Sequence, residues 1–139
     1  MKRVLVLCTG NSCRSQMTAA FLKELSDNLE VHSAGTAPAP AVNAGAVKYM
    51  AELGIDISKE IPTHVDEYIA QAWDYVITVC GGANENCPVF VGEVGKRLHI
   101  GFDDPSHATG TPEFIESEFR RVRDEIKVRF TQFIAEEGL

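Results

Sequence analysis

Two short runs constrain this chain more than anything else in it: RVLVLC at residues 3–8 and DYVITVC at residues 74–80. Both are apolar and rich in Val, Leu or Ile at consecutive positions. A strand with one wet face alternates, whereas a strand apolar throughout is buried on both faces, as in a parallel sheet covered by helices. The segments between carry other signals. SQMTAAFLKELS (15–26) puts Met17, Ala20, Phe21 and Leu25 at helical spacing before Ser26, Asp27 and Asn28 break it. LEVHSAG (29–35) reads as a second strand and TAPAPAVN (36–43) as a loop. AGAVKYMAELG (44–54) reads as a helix stopped at Gly54. IDISKEIPTH (55–64) is a connection, VDEYIAQA (65–72) suits a short helix, and GGANENCP (81–88) is a loop rich in glycine and asparagine. KRLHIGF (96–102) is a fourth strand and DDPSHATGT (103–111) a loop. Residues 112–138 form a long amphipathic helix with Thr111 as N-cap and Pro112 where proline is tolerated. Its apolar stripe is Phe114, Phe119, Val122, Ile126, Phe130 and Ile134. Strands alternating with helices predict an α/β fold: a four-stranded parallel sheet flanked by helices, joined by right-handed crossovers, in one domain over residues 1–139.

A net charge of −7 argues against a nucleic-acid surface, which needs a basic footprint. No stretch has the apolar length of a membrane span, and the N-terminal apolar run turns polar too early for a signal peptide. The chain is therefore expected to be cytoplasmic. In a reducing compartment Cys8, Cys13, Cys80 and Cys87 are thiols by default, so catalysis is a better account of them than a disulfide framework. No two of them have zinc-finger spacing. His32, His64, His99 and His107 are scattered, so they read as surface or packing residues and no structural metal is expected.

Cys8 stands where the first strand ends, and in open parallel sheets ligands bind beyond those ends. The residues Thr9, Gly10, Asn11, Ser12 and Cys13 then lead to Arg14 and a helix N-terminus. Gly10 lets the backbone turn. Successive N–H groups of such a loop form an anion nest backed by the helix dipole, and Arg14 adds a planar fork suited to a tetrahedral oxyanion. The same field stabilises a thiolate, which makes Cys8 a nucleophile facing a bound oxyanion, with Ser15 placed to donate to its sulfur. A lone strand-end cysteine is usually core packing; the C-x5-R-S spacing, the glycine and the strand–loop–helix context favour chemistry here. Cys80 ends the second buried strand, expected parallel to the first and at the same sheet edge. Neighbouring strands lie about 4.8 Å apart, so the two thiols meet after modest movement. Gly81, Gly82, Asn84 and Asn86 make the next segment easy to remodel, and Cys87 lies beyond it.

The C-x5-R-S loop, SAGT at residues 33–36 and the Asp104-Pro105 pair resemble the low-molecular-weight protein tyrosine phosphatases. The resemblance implies Asp104 as general acid, with Asp103 as the alternative. VCGGANENCP, CTGNSCRSQM, GFDDP and FRRVRDEIK closely resemble the thioredoxin-coupled arsenate reductases that share this fold. Ser106 and His107 follow Asp-Pro, where the phosphatases usually carry aromatic residues to stack a tyrosyl ring. The reductase resemblance implies arsenate as substrate, thioredoxin as reductant, and a relay in which Cys8 is the nucleophile and Cys80 and Cys87 the resolving pair. Cys13 has no catalytic part beyond its place in the loop. Some members of the family bind potassium through an Asn11-like residue and an acidic residue of the first helix; Ala19 stands in the acidic position, so no cation site and no cofactor is expected. The chain is read as a monomer. The rival readings are a phosphatase whose extra thiols only guard against oxidation and a non-enzymatic redox regulator that binds an oxyanion.

Overall fold

The protein is described by a computed structural model covering the backbone of residues 1–139 and every side chain save that of Asn84. The Asn84 part of the expected remodelling segment therefore lies outside the described side chains. Strands β1 (Lys2–Cys8), β2 (Leu29–Gly35), β3 (Trp73–Thr78) and β4 (Val94–His99) form one sheet in the order β2-β1-β3-β4. Every pairing is parallel. Val4, Leu5, Val6 and Leu7 are all 0% exposed, so both faces of β1 are covered, as an unbroken apolar run requires. The helices are α1 (Arg14–Leu25), α2 (Ala44–Ala51), α3 (Gly81–Glu85) and α4 (Pro112–Glu137).

The strand order sets the place of the chemistry. From β1 the chain passes outward to β2, then returns to lay β3 on the other side of β1. The carboxyl ends of β1 and β3 thus flank the switch point of the sheet, where connections diverge and leave a crevice. Cys8 closes β1, and Val79 N–H donates to Leu7 O at 2.9 Å, carrying the β3 pairing up to Cys80.

Several boundaries differ from expectation. The segment after Cys80 is not a loop throughout: residues 81–85 close a short helix, because Cys80 Sγ accepts the Ala83 N–H as an N-cap would. Residues 65–72 hold only one 3-10 turn (Val65–Glu67), begun by His64, whose ring accepts the Asp66 N–H. Strand β4 begins two residues early, where Gly95 lies so close to Asp74 O that a Cβ would stand 2.7 Å from it. On α4 the buried positions are Phe119, Val122, Arg123, Ile126, Phe130 and Phe133, while Phe114 is 50% exposed and Ile134 only partly buried. A helix of 26 residues is about 39 Å long and strands of six or seven residues only about 20 Å, so its first turn overhangs the sheet. Thr111 does cap it, Oγ1 accepting the Phe114 N–H at 3.1 Å. Gly54 also acts as expected: its φ is 77°, and the Ile55 and Gly54 N–H groups bond Met50 O and Ala51 O. No helix among the described residues is long and apolar enough to cross a membrane.

Candidate active site at the β1–β3 switch point

The loop after β1 is held by its carbonyls. Cys8 O accepts from Thr36 N–H, Thr9 O from Ala37, Gly10 O from Ala39, and Ser12 O from Asn43. Asn11 O accepts from Gln16 Nε2 at 3.0 Å. In a planar trans peptide the N–H points away from its carbonyl. Tying these carbonyls to the surrounding chain therefore turns the amides of residues 9–13 toward the loop interior, at the N-terminus of α1, and makes the anion nest.

The turn itself is made by a different residue from the one expected. Asn11 has φ 49°, in the left-handed region, and is fully buried. Gly10 is not in that region, and a Cβ there would meet nothing closer than Ser12 Oγ at 3.4 Å. Asparagine tolerates this backbone better than most residues, at about 1–2 kcal/mol. Its side chain offsets the cost: Nδ2 donates to Ser15 Oγ at 2.8 Å and Oδ1 accepts from Thr63 N–H at 2.9 Å. Ser15 is thus an acceptor toward Asn11, and no hydrogen bond joins it to Cys8 among the described residues. Gly35, opposite, has to be glycine, since a Cβ would stand 2.5 Å from Thr9 O.

Arg14 opens α1 and reaches across to the loop beyond β4. Nη1 donates to Phe102 O at 3.1 Å and Nη2 meets Asp104 Oδ2 at 3.3 Å. Its Nε is buried with no partner among the described residues. A buried N–H without an acceptor is costly, and beside a ring of amides it is a donor suited to an oxyanion. Asp104 is fixed further by Ser106, whose N–H and Oγ donate to Oδ1 at 3.0 and 2.6 Å. Its neighbour Asp103 is 75% exposed and pairs with Arg121 instead. The structure thus brings Asp104, not Asp103, to the loop.

Cys80 meets this site from β3. Its thiol faces that of Cys8, lies 3.4 Å from Thr9 Oγ1 and accepts the Ala83 N–H at 3.4 Å. Cys80 is pulled down to about 4, first by the hydrogen bond from Cys8 and then, against its burial, by Thr9 and Ala83. Cys8 is pushed up, first by giving that hydrogen bond and then by burial, while Arg14 pulls the other way. Gly82 lets α3 come this close, since a Cβ would stand 2.6 Å from Thr9 Oγ1.

The remaining thiols differ. Cys13, at the start of α1, is pushed up to about 12 by burial and then by the Asp104 charge, which makes it a poor nucleophile. Cys87 is half-buried beyond α3, in a groove over β3 and β4. Sequence reasoning did not find Thr9 as a partner of Cys80, nor Thr63 and Gln16 as braces of Asn11. Thr63 lies 52 residues from Asn11, a contact that no local spacing announces. Among the described residues no three His, Cys, Asp or Glu side chains gather as a metal centre. A potassium ion of the kind the resemblance raises fits poorly here. Asn11 spends both side-chain atoms on protein partners, and Ala19 gives only a methyl group to the cavity of about 260 Å³ beside α1.

The family model described as low molecular weight phosphotyrosine protein phosphatase matches residues 3–137. A protein of Halalkalibacterium halodurans named arsenate reductase is 48% identical over 138 residues, covering 99% of this chain and 97% of its own. A solved structure described as an arsenate reductase in the phosphate binding state superposes with a TM-score of 0.82 at 32% identity, covering 98% of each chain. The thioredoxin-dependent arsenate reductase of Corynebacterium glutamicum gives a TM-score of 0.67 at 27% identity, covering 98% of this chain and 63% of that one.

Proposed function

Because this chain belongs to the low molecular weight phosphotyrosine protein phosphatase family, we propose that it turns that family's oxyanion loop to redox use, reducing arsenate to arsenite through Cys8, Cys80 and Cys87 with electrons from thioredoxin. The observation that carries this reading is the meeting of the buried Cys8 and Cys80 thiols at the oxyanion loop, where Thr9 of that loop touches Cys80 Sγ at 3.4 Å and each thiol perturbs the other. Hydrolysis of a phosphate ester needs one nucleophile. Two-electron reduction needs two thiols close enough to become a disulfide.

Arsenate matches phosphate in shape and charge, so the amides of residues 9–13 and the Arg14 guanidinium suit it. The structural relative described as an arsenate reductase in the phosphate binding state supports oxyanion binding by this fold. Cys8, its proton passed along the hydrogen bond to Cys80, attacks arsenic as the thiolate. Asp104, charged beside Arg14 at rest, takes a proton from the protonated oxyanion and passes it to a departing hydroxyl, which leaves as water. Once Cys80 has lost its proton, a step eased by Thr9 and Ala83, its thiolate attacks Cys8 Sγ. The Cys8–Cys80 bond forms, the sulfur–arsenic bond breaks, and its electron pair stays on arsenic, which departs as arsenite. Cys87 then attacks Cys80, releasing Cys8 as the thiolate and leaving Cys80–Cys87 for thioredoxin to reduce. Each exchange needs the attacking sulfur ionised.

The test is a coupled assay: reduced protein, arsenate, thioredoxin, thioredoxin reductase and NADPH. Arsenate-dependent NADPH loss over many turnovers is the expected result. No loss, alongside rapid hydrolysis of an aryl phosphate, would overturn the reading in favour of a phosphatase.

A further inference from the structure

The groove over β3 and β4 is lined by Val76, Thr78, Cys87, Arg97, Leu98 and His99, and only Cys87 has a part in the relay above. We propose that Arg97 is a positioning residue for that relay, holding the segment that carries Cys87 and stabilising the Cys87 thiolate for its attack on Cys80. The proposal rests on the three-cysteine reading.

The sheet register puts Arg97 on the required face. Tyr75 pairs with Lys96 and Val76 with Arg97. Tyr75 and Lys96 both reach Glu137 of α4. Side chains alternate along a strand, so Arg97 and Val76 point to the other face, where Cys87 lies. Arg97 makes a second contact there: its guanidinium sits 5.3 Å from the centroid of the Phe90 ring. Phe90 is buried three residues beyond Cys87, and its neighbours Val89 and Val91 are exposed. A cation over an aromatic face attracts it, so Arg97 grips the one buried side chain of the Val89–Val91 stretch.

The charge reaches the thiol as well. Burial pushes Cys87 up and Arg97 opposes it. The other groups facing the groove do not take this role. His99 Nδ1 is bonded to Thr78 Oγ1 at 2.8 Å, β3 offers only Val76 and Thr78, and Glu85 of α3 is exposed and of the wrong sign. Among the described residues lining the groove, Arg97 is the one permanent cation. In the exchange, the Cys87–Cys80 bond forms as the Cys80–Cys8 bond breaks, and no electrons enter or leave. One negative charge passes from the Arg97 groove to the Arg14 loop, so an arginine stands at each end of the transfer.

Two measurements test this. In a chain with Cys8, Cys13 and Cys80 changed to serine, Cys87 is the sole thiol, and its alkylation by iodoacetamide is followed against pH. Arg97→Gln should raise the midpoint by about half a unit, leaving about 3-fold less thiolate at neutral pH; Arg97→Lys should restore it. In the full chain, Arg97→Gln should slow thioredoxin-coupled turnover about 3-fold or more, while the first equivalent of arsenite, which needs only Cys8 and Cys80, appears at the usual rate. An unmoved midpoint, or a lysine variant no better than glutamine, would overturn the role of Arg97. An unsubstituted chain that releases no arsenite would instead overturn the relay, whatever Cys87 titrates at.

Discussion

The Cys8 loop and the Cys80–Cys87 segment lie side by side and are built on opposite principles. In the loop, carbonyls 8 to 12 each have a partner, Asn11 is fully buried with its amide bonded at both ends, and Arg14 is tied to two residues beyond β4. The segment after Cys80 is a five-residue helix followed by a stretch with Val89 and Val91 exposed and Phe90 as its buried anchor. A helix that short has almost no stability of its own. The difference matches the two tasks. Oxyanion binding is served by donors fixed before the substrate arrives, since nothing then has to reorganise. Thiol exchange needs sulfurs that approach in turn, and Cys87 sits across α3 from the site it has to reach. On the proposed function, one region is braced to bind and its neighbour is lightly held so that Cys87 can approach Cys80.

Substitutions can sharpen or break that contrast. The largest effect belongs to Cys8→Ser, which should abolish arsenite formation, a loss of at least about 1000-fold by the measure of covalent catalysis, checked by arsenite released per chain. Arg14→Lys keeps a charge but removes the planar fork. It should cost about 100-fold in kcat/KM for arsenate, with the affinity for inorganic phosphate falling in parallel in a competition assay. Asn11→Ala strikes the rigid region's brace. It removes two buried hydrogen bonds and leaves alanine in a left-handed backbone, so it should lower stability by about 2–4 kcal/mol in urea unfolding, as well as activity. If it lost activity with stability intact, the loop would not be the rigid partner in the comparison.

Thr9→Val has a smaller and more specific effect. With Cys80 drawn down to about 4, one thiolate should persist as pH falls from 7 and vanish only as pH passes through that value. Removing the Thr9 donor should move the loss of the 240 nm thiolate absorbance upward by about half a unit to one unit. Stability should barely change, since only a side-chain hydroxyl facing a sulfur is lost while the Thr9 backbone keeps its bond to Ala37. Asp103→Asn should be nearly silent, within about twofold in kcat, because Asp103 is exposed and its partner is Arg121. A large loss there would transfer the acid role away from Asp104.

The rigid part was the more legible in the sequence, for physical reasons. Consecutive apolar residues in β1 and β3 announced a doubly covered sheet, and the short spacing from Cys8 to Arg14 is a local geometric signature that survives without tertiary knowledge. The braces were not legible. Thr63 reaches Asn11 from 52 residues away through its backbone N–H, a group every residue but proline carries. Glycine in the loop suggested that Gly10 makes the turn, yet Asn11 takes the left-handed conformation because its amide finds partners on both sides. Around Cys80 the glycines and asparagines read as a loop, whereas a short helix forms with the Cys80 sulfur as its N-terminal acceptor. The overhang of α4 that leaves Phe114 half-exposed depends on strand lengths, which the helical stripe alone does not contain.

The central claim, that Cys8 and Cys80 together supply the two electrons and Cys87 only resets them, is tested most directly with Cys87→Ser. Reduced and mixed with excess arsenate and the thioredoxin system, this variant should release about one equivalent of arsenite per chain and stop, with a Cys8–Cys80 disulfide found by peptide mass mapping. Sustained turnover, or a first equivalent with no Cys8–Cys80 bond, would contradict the account.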